Sequence, residues 1–248
     1  MSQTVLLNNI QHQSTRVIAS FSAELGDAVA SVQVFPTEFI ELQKEYAILF
    51  RKDADSNQFQ ATVLLGTEQN ENVYLDATHP SGWAAFYVPA SVARGPFMIG
   101  YQTQQEQGEA VKTPVVHIDM QHPKVNEQQG AELFLEQGGN SPYLQHISKL
   151  LEVLHQGIQM QSAMFTAFES CGLIEPVNIN FELKSGEKRS LVGNYTINEN
   201  ALRNLSAEQL QQLNQQGFLS LAYAVVASTS NIGKLIERKN NQDSQTGE

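Results

Sequence analysis

The chain has 248 residues, of which 15 are Lys or Arg and 26 are Asp or Glu, so its formal charge is −11 at pH 7. Nucleic acids and anionic membranes are bound largely through Lys and Arg, so this acidic balance argues against both as partners. The single cysteine, Cys171, excludes an intrachain disulfide framework and any multi-cysteine metal site.

The sequence shows no targeting or membrane-spanning segment. Residues 1–10 have no basic region and only a short apolar run, so they do not resemble a secretory signal peptide. The apolar stretch at residues 218–232 is interrupted by Ser, Thr and Asn, whereas about 20 apolar residues are needed to cross a bilayer. We therefore expect no transmembrane segment and a cytoplasmic location. Export to the cell surface by a non-classical route is the alternative.

Residues 1–140 are predicted to form a mainly β lobe with one short helix. Thr37 is placed to cap that helix, because apolar residues follow it at helical spacing. Short apolar runs bounded by turn residues indicate strands after this helix. These runs cover residues 47–51, 59–65, 73–75, 85–88, 97–101 and 115–120.

Residue 141 begins a different pattern, in which helical periodicity dominates. Ser141 is placed to cap a long helix, and Pro142 occupies its first position, where the missing N–H does no harm. Gly172 marks its end. The alternation of apolar and polar residues over 177–183 and 191–197 then indicates a β-hairpin inserted among the helices.

The last third of the chain carries a second helix start and a polar end. Ser206 and Gln209 have the spacing of a capping box, in which two side chains satisfy the first free N–H groups of a helix. A final helix is predicted over about residues 218–238. Residues 240–248 contain few apolar side chains, so we predict a disordered tail.

These elements predict an α+β fold, since helices cluster after strands. The predicted domains are a mainly β lobe at residues 1–140 and a helical lobe with a β-hairpin at residues 141–239, with a hinge at residues 138–140. The alternative is one compact domain over residues 5–239.

Motif analysis assigns no catalytic or cofactor-binding residue. The sequence contains no G-x-S-x-G nucleophile elbow and neither common Gly-rich phosphate-binding motif. Cys171 lies at the apolar end of a predicted helix, which favours a core position over a reactive one. Whether the protein is an enzyme stays open, with a non-catalytic role favoured.

One pair of residues has a chemical rationale as metal ligands. His117 and Asp119 are two residues apart on a predicted strand, so they share a face and could supply two ligands of an Fe(II) facial triad. A third ligand would have to come from elsewhere, and His122, His146 and His155 are candidates by residue type only. The other interpretation is a strand whose polar residues simply alternate outwards.

The segment from residue 83 to residue 97 combines aromatic residues with an isolated arginine. Aromatic and Arg side chains dominate the energetics of many protein interfaces, so we predict that a partner contacts Trp83, Tyr87, Arg94 and Phe97. The alternative is that the aromatic rings fill the core of the first lobe. Arg94 differs from them, because charged residues are seldom buried unpaired. It is therefore either a surface residue or matched to a carboxylate or a ligand.

Three blocks of sequence together resemble the SapC-like bacterial proteins, in order, spacing and total length. The blocks are residues 23–27 with 34–39 and 50–53, residues 87–89 with 94 and 96–100, and residues 172–176 with 195–197. The resemblance extends over about residues 5–239. It departs from the family at Tyr46-Ala47, where Tyr-Pro is usual, and we expect that change to affect a strand entry and not function.

The resemblance implies a genomic and cellular context for the protein, but no reaction mechanism. The family takes its name from a surface-layer locus, and similar proteins are often encoded beside TonB-dependent receptors, cupin-like proteins and halogenase-like proteins. This implies a role in envelope uptake or peptide modification, and it supplies no catalytic residues. The family name is shared with an unrelated peptide permease, which the lack of predicted membrane spans excludes.

Three functional hypotheses follow. The first is a non-catalytic accessory protein that binds a protein or peptide partner. The second is a structural component of the surface layer or envelope. The third is an Fe(II)-dependent oxygenase-like enzyme that uses His117 and Asp119. The oligomeric state is left open.

Overall fold

A computed structural model describes residues 4–106 and 109–246 of the chain. The strands are β1 (Thr4–Leu6), β2 (Arg16–Val17), β3 (Ser31–Val34), β4 (Ile48–Lys52), β5 (Phe59–Leu64), β6 (Phe97–Glu106), β7 (Glu109–Asp119), β8 (Val125–Asn126), β9 (Ala131–Glu132), β10 (Ile174–Glu182) and β11 (Lys188–Ile197). The α-helices are α1 (Phe39–Leu42), α2 (Ala90–Ala93), α3 (Pro142–Ser170), α4 (Glu199–Arg203), α5 (Ala207–Gln215), α6 (Phe218–Ser228) and α7 (Asn231–Thr246). Strands dominate the N-terminal part and helices the C-terminal part, so the α+β prediction is confirmed.

The largest sheet takes strands from both predicted lobes. Its antiparallel order is β10-β11-β4-β5-β3, and the C-terminal hairpin joins the N-terminal strands where Tyr195 pairs with Phe50. Two smaller sheets, β1-β7-β6 and β8-β2-β9, use strands from the first 132 residues alone. The five-stranded sheet therefore ties the two predicted lobes together across residue 140.

Helix α3 also connects the two parts, because it passes from one core to the other. Its N-terminal half packs Leu144 and Leu151 into a core with β6 and β7, and its C-terminal half packs Phe165 and Phe168 against the five-stranded sheet. Gly157 lies between the two halves. A Cβ atom at that position would lie 2.5 Å from Cβ of Phe35, so only glycine permits this approach.

Local capping signals place the long helices as predicted. The Ser141 hydroxyl accepts a hydrogen bond from the Leu144 N–H at 3.1 Å, and Pro142 is the first residue of α3. Ser206 and Gln209 form the predicted capping box of α5. Side-chain oxygens thus satisfy N–H groups that have no partner inside the helix.

The short N-terminal helix is capped differently from the prediction. A 3₁₀ turn at Pro36–Glu38 precedes α1, and the Glu38 carboxylate accepts from the Phe35 N–H at 3.1 Å. The Thr37 hydroxyl donates instead to the O atom of Val153 in α3. Thr37 therefore joins two elements and does not cap its own helix.

The chain end also differs from the prediction. Residues 240–246, predicted to be disordered, continue helix α7, while residues 247 and 248 lie outside the described residues. The physical reason is a tertiary contact: Asn240 is 8% exposed, and its side-chain oxygen accepts from the N–H of Lys184 at 2.8 Å. This contact anchors the polar end of α7 to the hairpin turn.

By length and composition, one helical run among the described residues, Phe218–Ser244, could cross a membrane, although 39% of its apolar window is buried in the fold. The run comprises α6 and α7. At their junction Asn231 is 1% exposed, and its amide donates to the O atoms of Gln43 and Tyr46 at 2.7 and 3.0 Å. Such contacts are typical of a core helix. The absence of a transmembrane segment stays a prediction.

Candidate binding site

A cavity of about 260 Å³ lies between the helical turn at Ala23–Asp27, the segment after α2 and the end of β7. We call it the Arg94 pocket. Its polar lining side chains are Asp27, Ser91, Arg94, Asp119 and His122. They come from three distant parts of the sequence, and the fold brings them together.

Arg94 follows the short helix α2, and its backbone N–H donates to Ala90 at 3.0 Å. Its Nη1 donates to the O atom of Phe97 at 2.7 Å, which holds the guanidinium at the wall of the cavity. Burial lowers the pKa of Arg94, although a guanidinium stays charged at pH 7. In the part of the chain that the structure describes, no carboxylate forms an ion pair with Arg94.

Asp27 and Lys124 form a buried ion pair at one side of the pocket. Their charged atoms are 2.9 Å apart, and the two side chains are 8% and 3% exposed. The Asp27 carboxylate also accepts from the Ser22 N–H at 3.0 Å, and the Lys124 ammonium lies 4.1 Å from the centroid of the Phe21 ring. Burial lowers the pKa of Lys124, and Asp27 opposes that change. The pair neutralises two charges that would be costly to bury singly.

His122 is held in one tautomer by the backbone. Its Nδ1 accepts a hydrogen bond from the N–H of Lys124 at 3.2 Å, so the neutral ring carries its proton on Nε2. Burial, followed by the Lys124 charge, lowers the pKa of His122, which keeps the ring neutral at pH 7. Asp119 lies nearby, and its carboxylate accepts from the N–H of Gln121 at 3.1 Å. The pocket therefore combines a cationic fork, a neutral N–H donor and a carboxylate.

The structure separates the four predicted contact residues. Trp83 is fully buried and its indole N–H donates to the Tyr46 hydroxyl at 2.8 Å, while Phe97 is fully buried in the other core. Tyr87 is partly buried and its hydroxyl donates to Glu38 at 3.1 Å. Placing Trp83 and Phe97 on a contact surface is therefore wrong, because their rings fill the cores. Arg94 alone of the four lines this pocket.

Sequence reasoning missed Phe86, although it lies in the same segment. Its side chain is 95% exposed, while its N–H and that of Tyr87 donate to the two oxygens of the Glu45 carboxylate, both at 2.9 Å. The Glu45 carboxylate thus holds the backbone of Phe86 in place while the Phe86 ring is exposed to solvent. The sequence could not single out Phe86, because nothing local distinguishes it from its buried aromatic neighbours.

His117 and Asp119 lie on β7, but the triad that they would need is incomplete. The His117 ring packs over Gly100 on β6, where a Cβ atom would lie 2.0 Å from the ring. Within residues 4–106 and 109–246, no group of three or more His, Cys, Asp or Glu side chains could hold a metal ion. The described residues therefore supply no third ligand.

The chain matches the SapC family over residues 7–235 of 248. It belongs to the SapC family. The match covers all the residues of the Arg94 pocket, and it confirms the resemblance that the three sequence blocks indicated. No curated protein and no solved structure matches the chain.

Proposed function

We propose that this SapC-family chain is a non-catalytic binding protein whose Arg94 pocket receives a carboxylate group of a peptide or protein partner. The observation that carries the proposal is a guanidinium at the wall of a cavity, held by one backbone contact and, in the described residues, by no carboxylate. Arg presents its donors in a planar fork that matches a carboxylate with two parallel hydrogen bonds. A partner carboxylate would complete this arrangement.

The other side chains of the pocket fit the end of a peptide. The Nε2–H of His122 supplies a neutral donor beside the Arg94 guanidinium. C-terminal carboxylate capture is a common mode of peptide recognition. We therefore assign the C-terminal carboxylate of a peptide to the pocket.

His122 and Asp27 are poorly placed for acid–base chemistry. Nδ1 of His122 is engaged by the backbone N–H of Lys124, and the Asp27 carboxylate is paired with the Lys124 ammonium. A general base needs a free lone pair within reach of the substrate proton. This supports a binding role over a catalytic one.

Phe86 is proposed as a second contact. Exposed aromatic rings on a fixed backbone lose little conformational freedom on binding, so they serve as interface anchors. The cytoplasmic location and the link to envelope uptake or peptide modification belong to the same proposal, and they rest on the sequence and on the family resemblance. No observation on the described residues favours the surface-layer or Fe(II) alternative.

The test is a library of random octapeptides with free C-terminal carboxylates, compared with the same library carrying C-terminal amides. The wild-type chain should enrich free acids at least tenfold over amides, and Arg94→Gln should abolish the enrichment. Arg203→Gln is the matched control, because Arg203 is 70% exposed and pairs with Glu199 on the surface of α4. Equal binding of acids and amides, no binding of either, or equal loss in both variants would overturn the proposal.

A further inference from the structure

A second cavity, of about 350 Å³, lies between helix α3 and the start of β5. We call it the Gln161 pocket. Its apolar wall includes the rings of Phe59 and Phe165, and neutral polar side chains form much of the remainder. Glu169 is the one charged side chain among the described residues that line it. Cavities of this volume fit small ligands.

Gln161 carries an unusual feature. Its side-chain oxygen is buried, and it has no hydrogen-bond partner among the described residues. An unpaired buried acceptor destabilises a fold, and such groups are rare in native proteins. Gln161 lines the cavity with other atoms, and water does not reach this oxygen. A donor on a ligand would therefore satisfy it only after the side-chain amide turns into the cavity.

The lining selects the chemistry of that ligand. No lysine or arginine among the described residues lines the cavity, so an anion would find no counter-charge there. Lys52 packs on the Phe59 ring, with Nζ 5.1 Å from the ring centroid, but it does not line the pocket. The lining therefore disfavours an anion, and it fits a ligand that donates hydrogen bonds and has one apolar face.

We infer that the Gln161 pocket binds a neutral saccharide of one or two rings. The C–H face of a pyranose packs against an apolar wall such as that of Phe59 and Phe165, while its hydroxyls both donate and accept. Once the Gln161 amide turns into the cavity, one hydroxyl donates to its oxygen. Others reach the amide of Asn57 and the carboxylate of Glu169, which lie along the same cavity. This site is separate from the Arg94 pocket and does not depend on the function proposed for it.

The test uses the full chain and a panel of neutral sugars: glucose, galactose, mannose, N-acetylglucosamine, maltose and cellobiose. Binding is measured by NMR titration, following the backbone signals of Phe59, Gln161 and Thr166. At least one sugar should give saturable shifts at these positions. Gln161→Leu should weaken that sugar at least tenfold, because one buried hydrogen bond is lost.

Two further variants keep the test decisive. Gln156→Leu makes the same change at an exposed position of α3 outside the pocket and should leave sugar affinity unchanged. Ser162→Ala removes a small hydroxyl from the lining and replaces Gln161→Leu if that variant fails to fold. The inference is overturned if no sugar shifts the pocket signals, if the shifts lie elsewhere, or if the pocket variants bind as the wild type does.

Discussion

The two pockets differ in the polar side chains that they bury: those of the Arg94 pocket are charged or titratable, and that of the Gln161 pocket is neutral. Around the Arg94 pocket, Asp27 pairs with Lys124, and burial together with the Lys124 charge keeps His122 neutral. Arg94 has no carboxylate partner in the described part of the chain. In the Gln161 pocket the buried group is neutral, and it is left without a partner in the described part of the chain. The Arg94 pocket therefore offers a cationic group to an anion, whereas the Gln161 pocket offers a neutral acceptor to a hydroxyl donor.

The largest expected effect comes from breaking the buried ion pair. Asp27→Ala leaves the Lys124 ammonium, 3% exposed, without its carboxylate. We expect a loss of about 3–5 kcal/mol in the free energy of unfolding, measured by urea denaturation. A loss below about 1 kcal/mol would show that the Arg94 pocket is not built on this pair.

A double variant sharpens that prediction. Asp27→Leu combined with Lys124→Met removes both charges, so no uncompensated ion remains. The double variant should regain most of the stability that Asp27→Ala loses, because replacing a buried pair by apolar groups is often neutral or stabilising. Additive losses from the two single changes would contradict the account.

Much of the fold could be predicted from the sequence because its signals are local. Ser141 and Ser206 cap helices by accepting from N–H groups three residues away. The alternation of apolar and polar residues that predicts the hairpin is likewise visible within a few neighbouring residues. The pairing of β11 with β4 could not be predicted, since Tyr195 and Phe50 are far apart in the chain. The prediction of a disordered tail was wrong for the same reason, because the backbone N–H of the distant Lys184 holds Asn240 in place.

The site was harder to predict than the fold. The sequence indicates Arg94 because a lone arginine among apolar residues is seldom buried unpaired, and in the structure it lines a cavity. The pairing of Asp27 with Lys124 could not be predicted, because nothing in either local sequence shows that they meet. Trp83 and Phe86 show the remaining limit: the first is fully buried and the second is 95% exposed, yet their local sequences are alike.

In the Gln161 pocket, removing the buried polar group should raise the stability of the fold. Gln161→Leu removes an unpaired buried acceptor, so we expect the free energy of unfolding to increase by about 1 kcal/mol. The exposed control Gln156→Leu should stay within about 0.5 kcal/mol of the wild type. A loss of stability in Gln161→Leu alone would mean that the amide has a partner within the fold.

A smaller effect concerns pH. The folded state lowers the pKa of His122 below the unfolded value of about 6.5, so the unfolded chain binds more protons below that pH. Stability should therefore fall as pH decreases below about 6.5, and His122→Asn should reduce that fall. His146→Asn, at an exposed position of α3, should leave the pH profile of the melting temperature unchanged. Identical profiles for His122→Asn and the wild type would count against a buried, neutral His122.

The smallest expected change in stability is at Phe86. Its ring is 95% exposed, so Phe86→Ser should alter the free energy of unfolding by no more than about 0.5 kcal/mol. The same variant should weaken the octapeptides that the wild type enriches, because it removes the proposed second contact. A large loss of stability would show that the ring packs within the fold and is not an anchor.

The most direct test of the central claim is an NMR titration that follows the Nε–H signal of Arg94, with acetate as the simplest carboxylate and acetamide as its neutral counterpart. Acetate should shift the Arg94 signal saturably while leaving Arg203 unchanged, and acetamide should shift neither. An Arg94 signal that ignores acetate, or that responds equally to acetamide, would contradict the assignment of this pocket to a carboxylate.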